Sequence, residues 1–291
     1  MAILVGQETR LLVQGLTGRA ATYHVGRMIA YGTKVVAGVT PGKGGRMHLD
    51  APIFETVADA VRATGANASL LFVPPEYAAK AMIEAIEAEV PLLVCVTERV
   101  PIIDMVRVRH ALRGTRTRLV GPNSQGILSP GTCQAGVMTT VNATPGGIGI
   151  ASRSASLTSE VMAQTTLAGL GQSTTVGVGG DPVHGLSLRD CVELFIADRA
   201  TTGIVIIGEI GGSEEEEVAA YVKASRPGKP IVALVAGRHA PPERRMGHAG
   251  AFATDGGGAA APKINALQAA GVLIAPNAAV VGRTMAEALR G

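Results

Sequence analysis

Leu11-Leu12-Val13-Gln14-Gly15-Leu16-Thr17-Gly18-Arg19-Ala20-Ala21 is the stretch that decides the fold class. A short strand-like run enters a glycine-bounded turn, and a helical pattern follows over 20–30. A strand that hands over to a helix in this way is the first half of a βαβ unit. The layout then recurs. Strands over 34–39, 68–73, 92–96 and 118–122 alternate with helical stretches over 56–64, 76–89 and 101–113. Such spacing implies crossover connections and a parallel sheet. The stretch 126–147 is rich in Gly, Pro and Thr, lacks a helical period, and is read as a linker. Beyond it the architecture repeats, with strands over 148–151, 173–177, 203–207, 231–235 and 272–274. Helices begin near Leu157, Leu186, Glu214, Ala259 and Thr284. A length of 291 residues accommodates two domains of about 150 residues each.

Composition narrows the function classes. The chain has 38 Gly scattered between aliphatic runs, 3% aromatics and no Trp, a balance that suits an α/β protein with many tight turns. Its net charge of +3, with no polybasic block, gives no case for nucleic acid. Cys95, Cys133 and Cys191 are odd in number and far apart, which excludes a fully paired framework and fits a reducing compartment. No charged-then-apolar leader is visible, and no apolar run approaches the roughly 20 residues that span a bilayer. The expectation is a soluble, cytoplasmic protein with no membrane contact and no resident metal.

The chemistry gathers where strands end. In Arg244-Arg245-Met246-Gly247-His248-Ala249-Gly250-Ala251, a histidine framed by small residues follows the strand 231–235. It is either an ordinary turn residue or a nucleophile. Its position at a strand's carboxyl end, its slim neighbours and the adjacent cations favour transient phosphorylation. Glu209, in Gly208-Glu209-Ile210-Gly211-Gly212, is placed to fix the tautomer of His248, unless it is a plain loop glutamate. Ser152-Arg153-Ser154-Ala155-Ser156 opens a helix directly after a strand, a layout that holds an anion, although Ser154 or Ser156 can equally be a mere N-cap. Gly177-Val178-Gly179-Gly180-Asp181-Pro182-Val183-His184-Gly185 is a glycine-rich loop able to wall a small-acid pocket. Ser213 with Glu216 reads as a capping box, so the acidic run 214–217 is assigned no catalysis. His184 and His239 lack a comparable frame.

The first turn is not a dinucleotide fingerprint. Gly15, Thr17 and Ala20 occupy positions where three glycines are wanted, and Lys43 stands where a nicotinamide site wants an acid. Lys43 suits a ribose phosphate instead, which points to coenzyme A; the bland alternative is an unliganded βα turn.

With these residues in place, the chain resembles the α subunit of succinyl-CoA synthetase and related nucleotide-diphosphate-forming acid–CoA ligases. The resemblance runs nearly end to end. It rests on Gln14-Gly15-Leu16-Thr17-Gly18, Val39-Thr40-Pro41-Gly42-Lys43-Gly44-Gly45, Val96-Thr97-Glu98, Gly121-Pro122-Asn123, Ser152-Arg153-Ser154, Gly179-Gly180-Asp181-Pro182, Gly208-Glu209-Ile210-Gly211-Gly212 and Arg245-Met246-Gly247-His248-Ala249-Gly250-Ala251. It implies an N-terminal Rossmann-like CoA-binding domain (1–125), a linker (126–147) and a flavodoxin-like, doubly wound parallel-sheet domain (148–291). CoA would lie against Gly15, Thr17, Gly18, Arg19, Ala20, Lys43, Val73, Pro74, Val96, Thr97 and Glu98. His248 would be the phosphohistidine with Glu209 beside it, and Ser154, Ala155, Ser156 and Gly247 would face its phosphate. Asn123 and Ser159 would border the acid substrate. An ATP-grasp β subunit, in an αβ or α2β2 assembly, would hold Mg-ATP or Mg-GTP.

The departures concern the acid. The family usually carries Tyr where this chain has Ser159 and Gly-Thr where it has Ala155-Ser156. Ser124-Gln125 stand where Cys-Pro is common, and Ala20-Ala21 where Gln-Gly is typical; His184 and Leu186 also differ from the usual loop residues. Losing a ring and gaining polar groups enlarges the acid pocket, so malate, another substituted dicarboxylate or a sulfonated analogue is expected rather than plain succinate. The alternative from another class is a non-catalytic, regulatory CoA-binding protein. A nicotinamide dehydrogenase is disfavoured by Thr17 and Lys43.

Overall fold

Residues 3–241, 243–253 and 257–291 are described by a computed structural model. Pro242, part of the loop read between the strand 231–235 and His248, lies outside these residues. The chain divides into two compact units. The first comprises Leu4–Met138 with Val183–Gly185, and the second Thr139–Pro182 and Leu186–Gly291 together with Ile3.

In the first unit, β1 (Arg10–Gln14), β2 (Lys34–Val39), β5 (Ala68–Leu71), β6 (Leu92–Cys95) and β7 (Arg118–Val120) form a parallel sheet with β4 (Ala51–Phe54). A two-residue strand β3 (Met47–His48) pairs antiparallel at one edge. The order β3-β4-β2-β1-β5-β6-β7 is that of a Rossmann sheet with one added edge strand. Helices α1 (Arg19–Tyr31), α2 (Val57–Thr64), α3 (Pro75–Glu87) and α4 (Ile102–Ala111) cover its faces. The central strands are buried along their length, which explains why they read as apolar runs without alternation.

The stretch expected to be a linker is not irregular. It holds an antiparallel hairpin, β8 (Gly126–Ser129) with β9 (Cys133–Gly136), and the next strand, β10, already begins at Pro145. Ile127, Leu128, Cys133, Ala135 and Met138 are buried. Thr33 Oγ1, just beyond α1, both donates to Gln134 O and accepts from Gln134 N–H, each at 2.9 Å. Burial and these bonds, rather than periodicity, make the segment a strand pair.

The second unit runs β10 (Pro145–Ser152), α5 (Ala155–Leu167), β11 (Gln172–Gly177), α6 (Leu188–Ala197), β12 (Gly203–Glu209), α7 (Glu214–Ser225), β13 (Ile231–Ala236), α8 (Ala260–Ala269), β14 (Leu273–Ile274) and α9 (Val281–Ala288). Its own strands lie in the order β14-β13-β12-β10-β11, all parallel. Counted within the unit this is 2-1-3-4-5, the flavodoxin-like order, with the topological switch between β10 and β12. The loops after these two strands therefore flank the crevice where such sheets take ligands. Among the described residues, no helix is long and apolar enough to cross a membrane.

Candidate active site

The switch point brings together Arg153, just past β10, Glu209, the last residue of β12, and His248. His248 sits in a closed loop: Glu243 N–H donates to Ala253 O (2.9 Å), Met246 N–H to Ala251 O (2.9 Å) and Ala251 N–H to His248 O (3.1 Å). Gly247 turns this loop with φ 70°, a left-handed conformation that glycine adopts without cost. Gly180, from the glycine-rich loop after β11, forms the floor. A methyl group there would lie 2.5 Å from His248 Cγ, so the ring packs directly on bare backbone.

Glu209 Oε2 accepts a hydrogen bond from His248 Nδ1 at 2.8 Å. An ionised carboxylate only accepts, so the proton sits on Nδ1 and Nε2 is left as the ring's nucleophilic lone pair. The hydrogen bond to Glu209 raises the pKa of His248 above the ordinary imidazole value; burial opposes it, the charge of Glu209 adds to it, Arg153 opposes it and Asp181 adds a little. About a third of the His248 side chain (32%) remains exposed, against 9% for Glu209. The imidazole is thus reachable while its carboxylate partner is not.

Arg153 guards the other side of the carboxylate. Its Nε lies 3.2 Å from Glu209 Oε1, an ion pair by distance whose angles miss a hydrogen bond, and both atoms are buried without another partner. Nη1 is 3.5 Å from Glu214 Oε1, and Nη2 donates to Asp181 O at 3.4 Å. These are long contacts for a group with five donors, so the guanidinium keeps donor capacity at the site.

The helix opening nearby is capped as its sequence suggested. Ser154 Oγ accepts from Leu157 N–H at 3.3 Å and so caps the helix. Ala155 and Ser156 are exposed, and their amides belong to the first helical turn, which has no preceding carbonyls to reach. An anion held here would meet those amides. One turn on, Ser159 Oγ bonds weakly back to Ala155 O at 3.4 Å. His184 is buried and His239 exposed, and neither takes part in this arrangement.

The capping-box reading of Ser213 and Glu216 is corrected. Ser213 makes no side-chain cap; its hydroxyl donates to Glu217 Oε1 at 2.8 Å. Glu216 turns instead to Lys263 Nζ (3.0 Å), because a buried ammonium needs carboxylates more than a helix end does. The true capping box lies at α6, between Ser187 and Asp190. In the acidic run, Glu214 faces Arg153 and accepts from Leu188 N–H (2.8 Å), while Glu215 accepts from Glu209 N–H (2.9 Å). The run therefore surrounds the site instead of standing apart from it.

In the first unit the residues expected to hold CoA lie at the carboxyl ends of β1, β2, β5 and β6. Gly15 (φ 80°) approaches β5 so closely that a Cβ would come within 2.4 Å of Phe72 O. Gly18 caps α1 without a side chain, leaving the amides around Arg19 and Ala20 open to an anion. Lys43 Nζ donates to Thr17 Oγ1 at 2.9 Å. Its loop is wrapped around Glu55, which accepts from Gly42 N–H (2.7 Å) and Gly44 N–H (2.6 Å); these bonds hold the Glu55 carboxyl below its ordinary pKa. Thr97 Oγ1 donates to Val73 O at 2.8 Å, tying Val73-Pro74 to Val96-Thr97-Glu98. Asn123 (φ 52°) donates its N–H to Thr97 O at 2.8 Å, after a cis Gly121–Pro122 bond. A glycine-capped helix end beside a lysine fits a phosphorylated nucleotide. Among the described residues, no cluster of three or more His, Cys, Asp or Glu side chains could hold a metal ion.

From the sequence, Arg153 has no role of its own, Gly180 belongs only to the loop walling a small-acid pocket and Glu215 only to an acidic helix start; Glu55 and Lys263 are not singled out. No local signal marks a lysine for burial.

Comparison with known proteins adds to this geometry. Residues 6–99 match the family model of a CoA binding domain, and residues 151–273 that of CoA-ligase. The chain is 49% identical over 292 residues to the succinate–CoA ligase [ADP-forming] subunit alpha of Aquifex aeolicus, covering 100% of this chain and 95% of that protein. It is 44% identical over 290 residues to the corresponding subunit of Staphylococcus aureus (strain Mu50), covering 100% and 96%. Among solved structures, ATP citrate lyase of Methanosaeta concilii in complex with (3S)-citryl-CoA shares the fold with a TM-score of 0.91 at 22% identity, over 99% of this chain but 50% of that one. The present chain thus spans half the length of that lyase.

Proposed function

The chain belongs to the family of succinate–CoA ligase α subunits, and from that premise we propose that it works with a β subunit as a nucleotide-diphosphate-forming carboxylic acid–CoA ligase, with His248 as the phosphoryl carrier. The observation that carries the reading is the 2.8 Å bond from His248 Nδ1 to Glu209, which leaves Nε2 as the sole free ring nitrogen in a partly exposed position. Nε2 attacks the terminal phosphorus of a nucleoside triphosphate; the N–P bond forms as the bond to the departing diphosphate breaks. Glu209 stabilises the cationic ring that results. The unspent donors of Arg153 and the first amides of α5 suit the phosphoryl oxygens. A carboxylate oxygen then takes the phosphoryl group, the N–P bond breaks, and an acyl phosphate forms. The thiol of CoA adds to its carbonyl and expels phosphate, giving the thioester. The triphosphate and its Mg2+, as ATP or GTP, are assigned to an ATP-grasp β subunit, in an αβ or α2β2 assembly. In the CoA-binding domain, Lys43, Thr17 and the open start of α1 would take the nucleotide's phosphates.

The acid is proposed to be a substituted dicarboxylate of the malate type or an analogue, because the small polar Ser159 stands on α5 where the family usually has Tyr. Two measurements test the proposal. Labelled ATP with the β partner should place an acid-labile, base-stable phosphate on the chain, and none on a His248→Ala variant. A panel of acids should show turnover of malate or an analogue above that of succinate. Faster turnover of succinate than of every alternative removes the substrate reading and leaves the ligase. Absence of the labelled phosphate from the wild-type chain removes the ligase, in favour of a non-catalytic CoA-binding protein.

A further inference from the structure

Lys263 and Glu215 are both fully buried, at 0% side-chain exposure, and bonded to each other at 2.5 Å. A buried ion pair is seldom the stable choice over apolar packing of the same volume, so its presence asks for another reason. The reason lies in where the second oxygen of Glu215 points. Strand β12 ladders against β10 only as far as Ser152↔Ile207, where Arg153 N–H donates to Ile207 O at 3.0 Å. Two residues later, on the same strand, Glu209 N–H donates to Glu215 Oε1 at 2.9 Å, so a carboxylate takes over where the β10 ladder has ended. Gly208 makes room for it: a Cβ there would lie 2.1 Å from that same oxygen. Lys263 fixes the carboxylate in turn, with its three protons going to Glu215 Oε2, Glu216 Oε2 (3.0 Å) and Gly212 O (2.9 Å). Through Gly212 it also holds the loop that follows Glu209.

We propose that Lys263 and Glu215 are positioning residues, a buried tether from α8 through α7 that sets the backbone of Glu209 and so the distance from its carboxylate to His248. Neither residue touches the reacting nitrogen. The tether acts on a bond whose length decides how strongly Glu209 favours the charged ring, and this bond also fixes which nitrogen is free. The consequence for phosphoryl transfer rests on the reading of His248 given above; the consequence for the imidazole itself does not.

The experiment uses the full chain with 13C-labelled histidine, titrated by NMR, and the same chain with its β partner for phosphorylation by ATP. Two variants break the tether differently. Glu215→Leu combined with Lys263→Met removes both charges together, which spares the fold an unpaired buried ion. Gly208→Ala keeps both charges and displaces the Glu215 oxygen. In each, the His248 pKa is expected to fall toward the ordinary imidazole value, and the phosphorylation rate to fall about 10- to 100-fold, with CoA affinity unchanged. A purely structural pair would lower the melting temperature and leave the titration of the folded protein as it was. An unchanged His248 titration in either folded variant overturns the proposal. Should the wild-type pair carry no phosphate, the functional reading fails, while the titration still decides the tether.

Discussion

The two units each offer an anion the start of a helix, and they prepare it in opposite ways. In the first, α1 begins at a glycine with no side-chain cap, beside Lys43, whose flanking glycines wrap the exposed carboxylate of Glu55. In the second, α5 is capped by Ser154, and the charges around it, Arg153, Glu209, Glu215 and Lys263, are buried. The first arrangement relies on open amides and a half-buried cation, which suits a ligand that must come and go. The second spends burial on fixing one imidazole, which suits bond making, where a small displacement costs rate. The half-open charge recognises and the buried charge aligns.

The hardest way to break this contrast is Glu209→Gln. Phosphorylation of the chain by ATP and the β partner should fall about 100- to 1000-fold. Because Glu209 raises the His248 pKa, the wild-type rate should climb with pH through a midpoint above the ordinary imidazole value, and the variant's midpoint should move to lower pH. The same linkage gives a sign for stability. The contribution of charged His248 is fully present below the unfolded imidazole pKa and is lost as pH rises through the folded one. Urea midpoints of wild type and variant should therefore differ most in mild acid and draw together in mild alkali.

Lys43→Ala probes the other unit and should weaken CoA binding by about tenfold. Dephospho-CoA should bind both proteins alike, and the difference for CoA should shrink as salt rises, since the lysine is only half-buried. Calorimetry on the two ligands at two ionic strengths reads this directly. A loss of equal size for dephospho-CoA would move the lysine's contact to another phosphate.

Ser154→Ala sharpens the comparison with the smallest effect. Loss of the cap should cost about 1 kcal/mol in chemical denaturation and change phosphorylation by less than about twofold, because the phosphate is assigned to the first amides of α5, which the substitution keeps. A tenfold loss of rate would show that the hydroxyl, rather than the helix amides, meets the phosphate.

Much of this was legible in the sequence because chemistry at the ends of parallel strands is local. Glu209 ends its strand, Ser154 and Lys43 follow theirs within a few residues, and His248 sits in the loop after β13 between slim neighbours. The fold class was legible for the same reason: buried strands read as aliphatic runs between helical patterns. What the sequence hid depends on partners distant in the chain. Lys263 lies in Ala261-Pro262-Lys263-Ile264-Asn265, which reads as an ordinary exposed lysine until α7 packs on α8. Ser213 and Glu216 satisfy the local rule for a capping box, yet the buried ammonium outcompetes the helix end for the carboxylate. The hairpin 126–136 escaped because two four-residue strands bounded by glycine are too short to show a period. Gly180 was visible as part of a loop able to wall a small-acid pocket, but its role as the floor of His248 arises only when two loops far apart in sequence meet.

The enclosure of Lys263 also gives the molecule an internal clock. An amine with every proton donated and no exposed surface cannot meet an acetylating reagent while α7 and α8 stay joined. Each adduct that mass spectrometry finds on it therefore counts one separation of those helices. Accrual of that mark over time would report how readily the carboxyl end of the sheet comes undone, without any substrate present.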